Sequence, residues 1–103
     1  MTVVIGTVSA AKLLDAIRGG IDAGSIDAWQ YDARGCFTPR ARKWSKRAWL
    51  CPSIIGTGQL KLELVNAASA ALTAALIGAY QGQFIEMLLV HCADQMSWAS
   101  VIP

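Results

Sequence analysis

Residues 66–96 read NAASAALTAALIGAYQGQFIEMLLVHCADQM. The stretch holds no proline and is rich in alanine, leucine and methionine, which favour helix. Asn66 has the side chain of an N-cap, able to accept from a free N–H of the first turn. Leu72, Leu76, Tyr80, Phe84, Leu88 and His91 fall on one helical stripe, and Ile77, Ile85, Leu89 and Cys92 on a second. A helix apolar on more than one side must be covered by something. The expectation is a long central helix over 66–96, wrapped by a β layer.

The segments before it supply that layer. Residues 60–64 alternate Leu60, Leu62 and Leu64 with Lys61 and Glu63, a strand with one dry face and one wet face. The turn Gly56-Thr57-Gly58 and the apolar run 47–55 before it make a β-hairpin. Pro52 within that run points to an edge position or a bulge, because proline cannot donate to a ladder. Upstream, residues 2–8 are β-branched and apolar, suited to a central strand. Ser9 then caps a helix striped by Ala10, Leu13, Leu14 and Ile17 and ended by Gly19 and Gly20. Residues 26–32, with Trp29 and Tyr31, read as a second strand, which makes a right-handed βαβ unit if the two strands lie parallel in one sheet. Thr38 as N-cap and Pro39 at the first helical position predict a short helix over 39–46. Residues 98–102 supply a last strand.

The order is therefore β-α-β-(short α)-β-β-α-β in a single α+β domain covering residues 1–103. It predicts a two-layer sandwich, with about five strands and the two longer helices on one face. This order resembles a ferredoxin-like arrangement with one additional strand. That fold serves many purposes, so the resemblance implies no function.

Composition narrows the class. The apolar fraction is 54% and charged residues are only 16% of 103, against roughly a quarter in ordinary globular chains; mean hydropathy is +0.41. Excess apolar surface on a small domain predicts a partner, a second copy first of all. The start of the chain has no basic residue before its apolar run and makes a poor secretory signal. Gln81, Gln83, Glu86 and His91 interrupt the apolar run of the long helix, whereas a span needs about 20 predominantly apolar residues, so no membrane role is expected. Three cysteines at wide spacing are not a secreted disulfide framework, and reduced thiols in the cytoplasm are the simpler reading.

The sharpest anomaly is charge segregation. Arg34, Arg40, Arg42, Lys43, Lys46 and Arg47 are six of the nine basic residues, and no acid occurs between Asp32 and Glu63. Phe37, Trp44 and Trp49 are interleaved with them. Cations beside aromatic rings can hold phosphates and stack on bases, the chemistry single-stranded RNA or DNA requires. An acidic protein surface would meet the same residues equally well, as would an ordinary solvated segment whose arginine stems lie over apolar surface. The candidate contact set is Arg34, Arg40, Arg42, Lys43, Trp44, Lys46, Arg47 and Trp49.

Other chemistry finds little footing. Cys36, Cys51, His91 and Cys92 lack local metal-ligand spacing, and His91 and Cys92 point about 100° apart on a helix. No nucleophile, base and orienting group are grouped by sequence. Gly56-Thr57-Gly58 opens no helix and precedes no phosphate-binding lysine. The expectation is a non-catalytic protein-interaction or assembly module without cofactor or metal, with nucleic-acid binding through residues 34–49 as the alternative.

Overall fold

The computed structural model describes residues 1–68 and 70–103. Its elements are β1 (Thr2–Gly6), α1 (Ala10–Ala23), β2 (Trp29–Tyr31), β3 (Phe37–Pro39), β4 (Ala48–Ile55), β5 (Gln59–Asn66), α2 (Ala74–His91), one 3-10 turn (Ala93–Gln95) and β6 (Trp98–Ile102). The chain is α+β. An open six-stranded sheet runs β2-β3-β4-β5-β1-β6, with every neighbouring pair antiparallel.

The leucine alternation sets the register. Leu62 lies opposite Val3 and Leu60 opposite Ile5, while Leu64 faces Leu50 on the other side. These residues share one side of the pleat, and all are buried. Leu13, Leu14, Ile17 and Ile21 of α1 and Leu76, Tyr80, Phe84 and Leu88 of α2 join them in one core. Trp29 meets Phe84 edge-on, with ring centroids 5.1 Å apart, a favourable aromatic geometry.

α1 begins as expected, Ser9 Oγ accepting from Lys12 N at 3.3 Å. It runs past Gly19 and Gly20, however, and stops at Gly24, whose φ of 83° is the left-handed geometry glycine tolerates. Continuing one more turn buries Ile21 against the core, which outweighs the weak helix preference of two glycines.

α2 is shorter than the sequence suggests. Asn66 is not its cap: it ends β5 opposite Ala48, and Ala67 N–H extends the pairing onto Arg47 O. The cap is Thr73, whose Oγ1 accepts from Leu76 N at 3.2 Å. Ser69, inside the expected helix, lies outside the described residues. Only the stripe Leu76, Tyr80, Phe84 and Leu88, with Gln81 and Met87, is buried; Leu89 and Val90 are 57% and 69% exposed, and His91 is exposed. α2 is thus a surface helix with one dry side, not a rod covered all round.

The short helix over 39–46 is absent. Residues 37–39 form β3 instead, which raises the strand count from about five to six. Phe37 is fully buried at the Leu50 pair, and Pro39 lies opposite Trp29. Residues 41–47 follow as bends and turns. Pro52 sits on a strand that pairs with β3 only at Phe37↔Leu50, so its surroundings on that side are those of an edge.

Among the described residues, no helix covers the other face of the sheet. Its rows are Trp49–Val65, Cys51–Glu63–Thr2–Ile102, Ser53–Lys61–Val4–Ser100 and Ile55–Gln59–Gly6–Trp98. Among the described residues, no helix is long and apolar enough to cross a membrane.

Candidate binding loop between β3 and β4

Residues 40–47 connect β3 to β4, and a buried polar knot fixes them. Tyr80 is fully buried on α2. Its hydroxyl donates to Trp44 O and accepts from Ala48 N at 3.0 Å. With that proton committed, Thr38 Oγ1 is the donor in its 3.0 Å bond to Tyr80, and it accepts from Lys46 N at 2.9 Å. Every polar atom of the knot is satisfied, as a low-dielectric interior demands. One tyrosine thus ties α2 to β3, to the loop and to the start of β4.

Of the described residues, Lys46 is the one non-glycine with positive φ, at 60°. A side chain there is strained, and such outliers gather at functional sites. Arg40, Arg42, Lys43, Lys46 and Arg47 are all exposed. Lys43 Nζ lies 5.0 Å from the Trp44 ring centroid, within cation–π range. Arg40 donates from Nε to Trp29 O at 2.9 Å. Among the described residues the ion pairs are Arg34–Asp32 and Lys61–Glu63, so these five cations have no carboxylate at contact distance. Beside the loop is a cavity of about 450 Å³ lined by Trp44, Lys46, Arg47, Ala70, Ala71, Thr73 and Leu76.

The structure divides the expected contact set. Arg34 leaves it: its Nε and Nη2 each reach Asp32 Oδ2 at 3.3 Å in the turn before β3. Burial alone pushes the Asp32 carboxyl up. Bonds from Cys36 N–H, from the Arg34 side chain and from Arg34 N–H outweigh it, holding the group below its ordinary value. Trp49 also leaves, half-buried on the helix-free sheet face beside Val65. Arg40, Arg42, Lys43, Trp44, Lys46 and Arg47 stay together on one loop. The four tryptophans separate likewise: Trp29 is core, Trp44 packs partly against it, and Trp49 and Trp98 belong to the open face.

Cys36 and Cys51 are bonded to each other, against the expectation of reduced thiols. They flank the Phe37↔Leu50 pair and so stand opposite one another, with Cα atoms 4.3 Å apart. Reading residues 39–46 as a helix capped by Thr38 hid that opposition. The bond removes the argument on which the cytoplasmic expectation rested. Cys92 is free and buried; burial, then the charge of Asp94, raises its thiol pKa, so it packs as a small hydrophobe. His91, exposed at the end of α2, lines a different cavity with Glu86 and Trp29. Among the described residues no group of three metal-ligating side chains occurs.

Of the residues that position the loop and its cavity, Tyr80 is legible as part of the apolar stripe and Thr38 reads as a helix cap, but the bonds their hydroxyls make, and Thr73 as the cap of α2, carry no signal in the sequence. No family model, curated protein or solved structure matches the chain.

Proposed function

We propose that the protein is a non-catalytic interaction module that assembles with a second copy of itself or with a protein partner. The observation that carries this reading is the unfinished sheet. One face has no helix layer, and Ile55, Val65, Trp98 and Ile102 stand 47%, 43%, 46% and 56% exposed on it. They stand at the margins of that face, around a middle that holds the Lys61–Glu63 ion pair, Ser53 and Gln59, and several exposed apolar side chains of that size on one uncovered face of a small domain favour a contact surface. The architecture reads as a two-layer ferredoxin-like sandwich, with β6-β1-β5-β4 as its sheet and β2 and β3 added beyond β4. Sedimentation velocity across a concentration series tests self-association: a single species of monomer mass up to about 100 μM, well above working affinities of ordinary complexes, rejects it.

A second reading, binding of single-stranded RNA or DNA, is favoured by the five unpaired cations of the loop and by Trp44 among them. It requires affinity that falls steeply with salt. Gel shifts on both nucleic acids at low salt should lose their bands in the double variant Lys46→Ala, Arg47→Ala. No shift with the unaltered protein rejects this reading.

A further inference from the structure

β6 lies at the edge of the sheet, and all five of its residues are exposed. The hydrogen-bond parity of the sheet shows which of its backbone groups are spent. Leu64 N donates to Met1 O and Thr7 N to Gly58 O, so the odd-numbered residues of β1 face β5. The even-numbered residues therefore face β6. Their partners Ile102, Ser100 and Trp98 turn N–H and C=O inward to Thr2, Val4 and Gly6. Ala99 and Val101 turn theirs outward, and among the described residues no strand lies beyond. Natural edges are blunted by charge, proline, bulges or cover. The sequence Trp98-Ala99-Ser100-Val101-Ile102 contains no charge and no proline.

We propose that β6 pairs antiparallel with β6 of a second copy about a two-fold axis through Ser100, doubling the sheet. This rests on the assembly reading above and names its surface. In this register Ala99 exchanges both N–H···O bonds with the partner's Val101, and Val101 does so with the partner's Ala99, so each outward group finds a mate. Side-chain chemistry agrees. Trp98 and Ile102 lie on the open face, and the axis brings each opposite the other in the partner, the aromatic and β-branched pairing that steadies antiparallel strands. The Trp98 indole lies across Gly6 of β1, where any Cβ would collide with it, so the ring covers the inner side of β6 and leaves its outer edge open to a strand. Ser100 meets the partner's Ser100, so no like charges meet at the seam although each chain carries +2.

The other edge explains why assembly stops at two. Asp32 N donates to Cys36 O and Arg40 N to Ala28 O, so Trp29 and Tyr31 turn their backbone groups outward. There the Arg40 guanidinium occupies Trp29 O. That edge is short and cationic, and the pairing closes as a dimer. Five residues are few against the roughly 20–30 a side of a standard interface, so the dimer is a weak one.

The test uses the full chain. Val101→Pro removes an outward N–H and leaves the β1 ladder intact. It should raise the dimer Kd by about tenfold or more, since two donors are lost per dimer, with unchanged circular dichroism. Ser100→Cys should form a disulfide-linked dimer under mild oxidation, because directly opposed residues of a non-bonded antiparallel pair lie close enough to bridge; the open-face control Ser53→Cys should not. Ile55→Lys should still dimerise. Dimers that survive Val101→Pro but disperse with Ile55→Lys, or Ser100→Cys that fails to cross-link, overturn strand pairing and leave the assembly reading standing. A wild-type chain that stays monomeric overturns both self-assembly and the seam.

Discussion

At one end of the sheet β2 is three residues long, Arg40 covers its Trp29 carbonyl, and the neighbouring β3 is bonded to β4 through Cys36 and Cys51. At the other end β6 runs five residues with its outward groups bare. The first end spends a buried tyrosine, a threonine and a disulfide on holding one basic loop in a strained shape. The second end spends none of these on its outward backbone groups. A backbone edge with free N–H groups accepts any extended chain of suitable register, so it needs no device to hold it ready. A cluster of like-charged side chains repels itself, so it keeps a fixed shape only where the surrounding core imposes one. The two ends should therefore respond to perturbation in opposite ways.

The largest contrast comes from Tyr80→Phe. It removes one oxygen, strands Ala48 N–H and the Thr38 hydroxyl proton, and leaves Trp44 O with only the long 3.4 Å bond from Arg47 N. At roughly 1–3 kcal/mol per buried group left unsatisfied, tempered by water reaching half-exposed Trp44, the loss should be about 3 kcal/mol. Val101→Pro at the opposite end should stay within about 0.5 kcal/mol, as surface changes usually do. Urea unfolding of both variants measures the contrast, and equal losses would erase the distinction between the ends.

Next is the disulfide. Cys36 and Cys51 are 15 residues apart in sequence, and closing such a loop contributes about 3 kcal/mol in the chain-entropy model, often less when measured. Replacing both with serine should cost about 2 kcal/mol. Amide exchange should quicken across residues 37–50, since β3 otherwise holds β4 at a single registered pair, while β1 and β6 keep their protection. Uniform quickening over the whole sheet would mean that the bond steadies the entire domain rather than one end.

Lys46→Gly sharpens the comparison from the other side. Relief of a left-handed backbone is worth about 1–2 kcal/mol, offset by the extra chain entropy of glycine, so the variant should gain up to about 1 kcal/mol. It should also bind polyanions more weakly if the loop is a contact surface. A gain in stability without any change in binding would make the strain a by-product of the Thr38–Lys46 bond.

How far these features could be read from the chain depends on the range of the forces behind them. The leucine alternation at 60–64, the Ser9 cap and the glycine turn at 56–58 are local, and each appears where the residues indicate. Asn66 and Thr73 are both good caps by residue type. The choice between them was made by the Ala48↔Asn66 pairing, a contact from outside the segment. Thr38-Pro39 likewise reads as a helix start. Burial of Phe37 and capture of Thr38 by Tyr80, 42 residues away, turned it into a strand. The basic cluster was visible as composition, but the departure of Arg34 and Trp49 from it was not, because Asp32 and the sheet face claim them through folding.

The smallest effect is acidic and confined to the β2 end. Asp32 accepts from Cys36 N at 2.9 Å, from Arg34 N at 3.0 Å and from the Arg34 guanidinium. These bonds hold its carboxyl below the ordinary 3.8 despite the opposing push of burial. A carboxyl depressed by folding stabilises the native state above its unfolded pKa, and that contribution fades as pH falls through the folded value. Acidification from pH 5 to below the ordinary carboxyl range, about 4, should shift the amide resonances of Arg34 and Cys36 and loosen the turn before β3, leaving Ala99 and Val101 untouched. Asp32→Asn should remove that titration altogether. If the Arg34 and Cys36 amides titrated no lower than a free carboxylate would, the turn would owe its shape to the Cys36–Cys51 bond alone.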